Sequence, residues 1–454
     1  MLTERICSAV AVAGAGMARE CTLAFMKASG LPPGPRTRRL WQMAEWLARP
    51  NTYAARQRAR FGEVFTARID PIPWVMLGDP ADVRTVFTAG PQRTNAGEAN
   101  EILRPTLGPH SLLLLDGDEH MRQRKLMLPA FHGERIDRYR EIMREATERA
   151  VASWPAGEAF ALRPHTQAIT LEVIMRAVFG VEDREAMARL RAPLKRFVDW
   201  AGNPGALVMV ALLGFEHPIV RRIMRRRYLG PVDRELYALI AERRAAPDLV
   251  ERDDVLSMLL LARDEQGEPM TDAELRDELM TLLTAGHETT ATSLAWAVER
   301  LVRQPGGLER LAGDPAYVDA VVKETLRLRP VIALVLRKLL EPLELGGHEL
   351  PAGTTVAPVI LLVHRREDVY PEPAAFRPER FLDRPPGTYS WIPFGGGVRR
   401  CLGAAFAQVE MQTVLQTLAE SVALEGVGRS EAVRRRGITL APARGGQVRA
   451  LAAR

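Results

Sequence analysis

The most reactive side chain in this sequence is a thiol near the end of a glycine-rich stretch. The stretch from Phe394 to Gly403 contains three successive glycines and leads through Cys401 into an apolar, alanine-rich segment with helical spacing at 402–420. A cysteine at a helix start lies near unpaired N–H groups and the positive end of the helix dipole, which stabilise a thiolate. Since the thiolate is the form that binds metal, the pattern predicts a metal ligand at Cys401.

The residues around this cysteine suit a flat ligand. Gly395 and the two glycines after it leave backbone room for a macrocycle and free N–H groups for the sulfur. Phe394 can shield the sulfur, and Arg399 can reach an acidic edge of the ligand. The competing interpretation is a glycine-rich turn with an incidental cysteine, which a lone triple glycine would favour and this longer pattern does not.

The cysteines are few. Cys7, Cys21 and Cys401 form an odd set without a C-x-x-C pair, which argues against a disulfide framework or a zinc site. The sequence also has no C-x-x-C-H, so a covalently attached c-type heme is excluded. We expect a reducing, cytoplasmic location.

A second polar cluster, Ala285 to Thr290, lies in the middle of a long helical pattern at 271–303. Ala285 and Thr289 share one helical face, and Gly286 lets a small ligand approach the backbone. Thr289 can hold a hydroxyl next to such a ligand, and Glu288 can relay protons from solvent. The alternative is that hydroxyls bond only their own backbone, which we favour for Thr292 and Ser293.

Two oppositely charged residues, Glu324 and Arg327, are three positions apart on one predicted helical face. Alone, such a pair is usually a surface contact worth about 0–1 kcal/mol. Here the helix ends at Pro330, and a segment from Phe376 to Phe381 follows, which contains Arg380.

Together these motifs, over about residues 31–450, resemble those of the cytochrome P450 family: the heme-binding signature, the oxygen-activating helix and the E-x-x-R helix with its following segment. The resemblance implies that Cys401 ligates the iron of heme b, with the thiolate pushing electron density toward O–O cleavage. It implies contacts to heme or dioxygen by Phe394, Gly395, Gly403, Ala285 and Gly286. Glu288 and Thr289 become the acid–alcohol pair, and Glu324, Arg327 and Arg380 become a structural charge network.

Basic residues elsewhere match the family's heme propionate contacts. His120 and Arg124 are four apart and resemble an H-x-x-x-R pattern, Arg337 follows Pro330 on a predicted strand, and Arg399 precedes the cysteine. Each alone could be surface charge. His110, His287 and His364 are expected to be exposed or satisfied by ordinary contacts.

The resemblance implies a monooxygenase that inserts one oxygen atom of dioxygen into a lipophilic substrate by hydroxylation or epoxidation. We expect electrons from a separate ferredoxin and ferredoxin reductase, with NAD(P)H acting only through them, since about fifty residues follow Cys401. The expected docking face is basic: Arg122, Lys125, Arg399 and Arg400.

We expect the pocket to be lined by the segments 91–115, 195–225 and 331–335 and by the turn at 438–440. The apolar runs 112–115, 207–213 and 331–336 favour a fatty acid, terpenoid, steroid or polyketide substrate. The expected lining residues are Leu113, Val331, Leu334, Val335 and Thr439. Two other classes stay open: a heme-thiolate enzyme that uses peroxide or rearranges hydroperoxides, and a heme sensor or electron-transfer protein.

The elements that must position these residues are mainly helical. Helical spacing occurs near 134–153, 164–179, 182–200, 230–246, 271–303, 315–328 and 402–420, and strand patterns occur at 66–77, 335–345 and 354–361. The predicted fold is mainly α with minor β: a helix-rich lobe and a small β-rich lobe around a buried heme. Residues 31–454 would form one heme domain after an N-terminal extension, residues 1–30, that is flexible or a surface helix.

Composition is that of an ordinary globular protein, and we expect a monomer. Apolar residues make up 47% and charged residues 26% of the 454 residues. The 62 basic and 56 acidic residues are interleaved, which argues against nucleic-acid binding. The apolar run from Ile6 to Met17 is shorter than the roughly 20 residues of a membrane span, so no transmembrane segment is expected.

Overall fold

The structure is a computed structural model that describes residues 30–131, 135–201, 209 and 217–453. The predicted N-terminal extension, apart from residue 30, therefore lies outside the described residues, as does part of the predicted pocket segment 195–225. Within the described part, no helix is both long and apolar enough to cross a membrane.

Helices form most of the chain. They are α1 (Arg39–Ala48), α2 (Pro50–Phe61), α3 (Pro80–Thr88), α4 (Arg104–Leu107), α5 (Gly117–Met127), α6 (Arg135–Val151), α7 (Leu162–Val173), α8 (Arg184–Ala201), α9 (Pro218–Ile223), α10 (Gly230–Ala245), α11 (Val255–Leu261), α12 (Asp272–Leu301), α13 (Pro315–Leu328), α14 (Ile360–Val363) and α15 (Ala404–Ser421).

The strands are short. They are β1 (Val64–Ala67), β2 (Trp74–Leu77), β3 (Thr94–Asn95), β4 (Ala159–Ala161), β5 (Arg337–Leu339), β6 (Leu343–Leu345), β7 (His348–Leu350), β8 (Thr355–Pro358), β9 (Val422–Gly426), β10 (Val433–Arg436), β11 (Thr439–Pro442) and β12 (Gln447–Ala453).

Helix α12 is the longest helix described and begins where the sequence predicts. The Thr271 hydroxyl accepts a hydrogen bond from the Glu274 N–H, and the Glu274 side chain accepts one from the Thr271 N–H, so the capping box is complete. Most of its residues are buried, including charged ones, because other helices surround it. The helix thus carries its polar residues through the protein interior.

The largest sheet has the strand order β1-β2-β8-β5-β3. Strands β1 and β2 form the predicted antiparallel hairpin, and β2 pairs in parallel with β8, from Trp74 opposite Thr355 to Leu77 opposite Pro358. Strand β5 starts at Arg337, which places that residue on a strand, as expected.

Two kinds of core correspond to the two predicted lobes. One large cluster joins helices, with Leu279 and Leu294 of α12 and Val414 of α15 fully buried. Smaller clusters lie under the main sheet, with Val75 and Val356 fully buried. The mainly helical fold with a minor β portion is therefore confirmed.

The sequence patterns missed several elements. Helices α1 to α3 and strands β9 to β12 were not predicted. Helices α1 and α3 and these strands are too short for periodicity to separate helix from strand, and α2 has few apolar residues. Helix α15 begins at Ala404, so Cys401 lies three residues before the helix and close to the predicted helix start.

Candidate active site

The glycine loop before Cys401 packs closely against helix α3. A Cβ atom on Gly396 would lie 2.1 Å from the Phe87 ring, and one on Gly397, where φ is +65°, would lie 2.1 Å from the Phe87 carbonyl oxygen. The Cys401 N–H closes the loop by donating to the Phe394 carbonyl at 2.9 Å. The glycines are therefore required by a neighbouring helix and by backbone conformation, which the sequence pattern did not reveal.

The environment of Cys401 affects the protonation of its thiol. Solvent reaches the residue, yet protein atoms surround the thiol densely, and this burial raises its pKa. The Gly403 N–H and the nearby Arg124 and Arg400 act in the opposite direction and favour the thiolate. A thiolate here needs a further positive partner, and a metal ion supplies it.

Four basic residues converge beside the loop: His120 and Arg124 on α5, Arg337 on β5, and Arg399. Burial and the charges of the three arginines lower the pKa of His120 to about 3. Burial and Arg399 lower the pKa of Arg337 to about 10, and burial also lowers that of Arg399 to about 10. The sequence-predicted propionate contacts are thus brought together in one electropositive region.

Asp116 is the acid that faces this cluster. Arg399 donates to its carboxylate and, at 3.2 Å, to the Leu112 carbonyl. The same carboxylate accepts the Ala96 and Gly97 N–H groups, each at 2.9 Å. One carboxylate balances few of the charges, so the cluster suits an anionic ligand, and the two carboxylates of heme b fit this chemistry. Sequence analysis missed Asp116, although its position just before α5 is typical of a helix cap.

The centre of α12 opens at Ala285, which is exposed in an otherwise largely buried helix. Gly286 faces Ile174, whose side chain would lie 3.2 Å from an added Cβ atom. The Thr289 hydroxyl donates to the Ala285 carbonyl. The Ser293 hydroxyl donates to the Thr289 carbonyl at 2.9 Å, which is the backbone bonding expected for Ser293.

The Glu288 side chain contacts residues of α7, which packs against α12. Arg163 forms an ion pair with it, the Gln167 amide donates at 2.7 Å, and the Thr292 hydroxyl donates at 3.2 Å. The Thr292 hydroxyl thus bonds a side chain and not the backbone, unlike the expectation. Arg163 and Gln167 were missed, although their spacing of four on α7 places them on one face.

The three expected structural charges lie together. Arg327 donates to Glu324 at 2.6 and 2.8 Å, and the Arg380 Nε donates to Glu324 at 3.2 Å. Glu324 and Arg327 are completely buried, and Arg327 also donates to the carbonyls of His364 and Pro373, each at 2.9 Å. A charge pair this deeply buried persists only with such full hydrogen bonding.

The other histidines singled out in the sequence make ordinary contacts. His287 Nδ1 lies 2.8 Å from the Thr170 hydroxyl, and burial lowers the pKa of His287 to about 4. His364 is fully buried, and its Nε2 accepts the Ile392 N–H at 2.8 Å.

The expected pocket residues occupy different environments. Thr439 and Val331 are buried on adjacent segments, since the Leu440 N–H donates to the Val331 carbonyl at 2.8 Å. Leu334 and Val335 are half-buried against the apolar clusters of the β-rich lobe. Leu113 is 36% exposed.

Acidic residues of α12 anchor the segment before α5, which sequence analysis missed. Asp277 accepts the His110 N–H at 2.9 Å, and Glu278 accepts the Leu112 N–H at 2.8 Å. Burial raises the pKa of Glu278 to about 8. Leu112 therefore connects α12, through its N–H, to Arg399, through its carbonyl.

The four residues of the expected basic docking face differ in their ion-pair partners. Arg122 pairs with Asp264 at 2.6 Å and also with Glu274, and Lys125 pairs with Glu265 at 2.7 Å. Arg399 is held by Asp116. Of the four predicted residues, Arg400 is exposed without such a described ion pair.

The cytochrome P450 family model matches residues 32–430, and the chain therefore belongs to the cytochrome P450 family. As a member, it is a heme-thiolate monooxygenase that uses heme b and dioxygen.

Among named proteins, the chain is similar to the putative cytochrome P450 135B1 of Mycobacterium tuberculosis, with 43% identity over 94% of this chain and 92% of the relative. It is also similar to the putative cytochrome P450 137 of the same species, with 38% identity over 98% of this chain and 96% of the relative. The solved structure of retinoic acid bound cyanobacterial CYP120A1 shares the fold, with a TM-score of 0.77 and 23% identity over 93% of this chain and 100% of that chain.

Proposed function

We propose that this monooxygenase inserts one oxygen atom of dioxygen into a lipophilic substrate by hydroxylation or epoxidation, and that Cys401 would bind the heme iron. The observation that supports this most strongly is the convergence of four basic side chains beside the one thiol in the described part of the chain. A thiolate and a group of carboxylate-binding cations match the two parts of heme b that a protein must hold, the iron and the propionates.

His120, Arg124, Arg337 and Arg399 would hold the heme propionates. When bound, the heme supplies the activation of dioxygen, and the thiolate supports cleavage of the O–O bond. The Gly403 N–H lowers the pKa of the Cys401 thiol and would moderate electron donation by the sulfur. The surfaces that would contact the heme include Phe394 and Gly395 from the glycine loop and Ala285 and Gly286 from α12.

Glu288 and Thr289 would carry protons to the reacting oxygen. The Glu288 side chain is 18% exposed, so it can exchange protons with solvent. Arg163 and Gln167 orient its carboxylate, and the Thr289 hydroxyl lies one residue further along α12. General acid catalysis by positioned groups of this kind contributes about 10²- to 10⁴-fold.

The substrate would be a fatty acid, terpenoid, steroid or polyketide bound against Leu113, Val331, Leu334, Val335 and Thr439. Electrons would come from a ferredoxin and its NAD(P)H-dependent reductase in the cytoplasm, and the enzyme would act as a monomer. The exposed Arg400, one residue before Cys401, is the cation best placed to meet an acidic ferredoxin.

The test is a screen of lipophilic compounds for a low-to-high-spin shift of the Soret band, followed by turnover of each hit with a surrogate ferredoxin, reductase and NADPH under isotopically labelled dioxygen. One labelled oxygen atom in the product supports the proposal. Turnover with peroxide alone, together with failure of the NADPH-driven reaction, supports the peroxide-using class. Electron transfer without any spin shift by any compound supports the sensor or electron-transfer class.

A further inference from the structure

Helix α1 exposes its large apolar side chains. Leu40, Trp41 and Leu47 are 63%, 71% and 46% exposed, and Ala44 and Ala48 are also exposed. At about 100° per residue these five positions form one continuous stripe about 120° wide. Helices on a protein surface normally turn such a stripe toward the core, so this one is oriented the opposite way.

Gln42 fixes this orientation. Its side chain is 1% exposed, and its amide donates to the carbonyls of Pro35 at 3.1 Å and Thr37 at 2.8 Å. Its oxygen accepts the Tyr53 hydroxyl at 3.1 Å and the Arg68 N–H at 2.9 Å. Four hydrogen bonds to one buried amide hold α1 in a single rotation, and the outward stripe follows from them.

A turn of the main sheet adjoins the helix on the side of Gln42. The bond from Arg68 to Gln42 brings the turn between β1 and β2 next to α1, and Ile72 in this turn is 59% exposed. We call the surface made of the five stripe residues the α1 face. An apolar patch of this kind is typical of an interaction site.

Arginines flank the α1 face at both ends. Arg36, Arg38 and Arg39 are exposed at the start of the helix, and Arg49 is exposed directly after its end. The acidic residue of the helix, Glu45, is paired with Arg56 on α2. The surface is therefore apolar in the middle and cationic at its edges.

We propose that the α1 face docks on a lipid surface that contains anionic lipids. A helix with a tryptophan and leucines on one side and arginines at its ends lies in the membrane interface, where the rings and aliphatic side chains enter the acyl boundary and the guanidinium groups meet lipid phosphates. A second copy of the chain fits this surface poorly, because a two-fold contact would bring like charges at the helix ends together.

The test uses the full-length holoenzyme and vesicles of phosphatidylcholine with phosphatidylglycerol in equal parts. The wild type should sediment with these vesicles, bind pure phosphatidylcholine vesicles less, and be released by high salt. The combined Leu40→Ser, Trp41→Ser and Leu47→Ser variant should lower the partition coefficient at least tenfold. The control, Val250→Ser with Val369→Ser, removes apolar side chains that are 77% and 37% exposed elsewhere and should bind like the wild type.

A second readout follows Trp41 directly. Lipids brominated near the headgroup should quench part of the tryptophan fluorescence of the wild type, and Trp41→Phe should lose that part. An unchanged partition coefficient in the triple-serine variant overturns the proposal. So does loss of binding on Ile6→Ser with Val10→Ser while the triple-serine variant still binds, because residues 1–29 would then be the anchor. A change from dimer to monomer in the triple-serine variant without vesicle binding assigns the surface to a second copy and also overturns it.

Discussion

Arg163 on α7 forms an ion pair with Glu288 in the middle of α12, and the two residues are 125 positions apart in the chain. The pair is half-buried, since 12% of the Arg163 side chain and 18% of the Glu288 side chain are exposed. It links the acid of the proposed proton path to a helix that has no other assigned role. The pair therefore controls where the Glu288 carboxylate points.

Glu288→Gln should lower turnover at least tenfold while ligand-induced spin shifts keep their midpoint, because the amide cannot exchange protons at neutral pH. Arg163→Gln should also lower turnover, because it removes the side chain that orients the carboxylate. The measurement is the rate of product formation against pH at saturating ferredoxin. Arg138→Gln, at an exposed ion pair with Asp253, is the control and should leave the profile unchanged. Equal turnover in Glu288→Gln and wild type would remove Glu288 from the proton path.

Removal of one cation of the propionate cluster should weaken heme binding. Arg337 is 6% exposed, and its charge lowers the pKa of His120. Arg337→Met removes this charge and should raise the rate of heme loss to apomyoglobin about tenfold or more. It should also raise the pKa of His120. Arg138→Met, on the surface, should leave the rate of heme loss unchanged. If both variants lose heme at the wild-type rate, Arg337 does not bind the cofactor.

Glu324→Gln should destabilise the protein by about 3–5 kcal/mol, because it leaves the buried charges of Arg327 and Arg380 without a counter-charge. The measurement is the urea midpoint with heme bound. Asp253→Asn breaks an exposed pair with Arg138 and should cost about 0–1 kcal/mol. Equal costs for the two variants would show that the network is not a structural requirement.

Stability should fall as pH rises above the ordinary carboxyl range, because burial raises the pKa of Glu278 from 4.5 to about 8. Between these values the folded protein retains a proton that the unfolded chain has released, so the free energy of unfolding decreases with pH and levels off above about 8. Glu278→Gln should make this decrease shallower. The exposed Glu344→Gln should not change it. A decrease as steep in Glu278→Gln as in the wild type would contradict the assignment.

Sequence alone predicted the parts of the fold that local patterns encode. The capping box at Thr271 and Glu274 and the apolar spacing after it placed α12 within a few residues of its observed ends. The motif around Cys401 indicated the family, which the match over residues 32–430 confirms.

Long-range partners could not be predicted, because nothing local marks them. Asp116 meets Arg399 across 283 positions, and Phe87 meets the glycine loop only once the chain is folded. The residues of the expected docking face show the same limit: Arg122 looks like a free charge in sequence, but its acidic partners lie 142 and 152 positions away. The residue types and short motifs of the sequence indicated the candidate site residues, whereas their ion-pair partners could be identified only from the structure.

The most direct test of the whole account is the absorption spectrum of the reduced protein under carbon monoxide. The wild type should show the red-shifted band of a thiolate-ligated heme, and Cys401→Ala should lose it, whereas Cys7→Ala and Cys21→Ala should keep it. A wild-type spectrum without this band, or its survival in Cys401→Ala, would contradict the account.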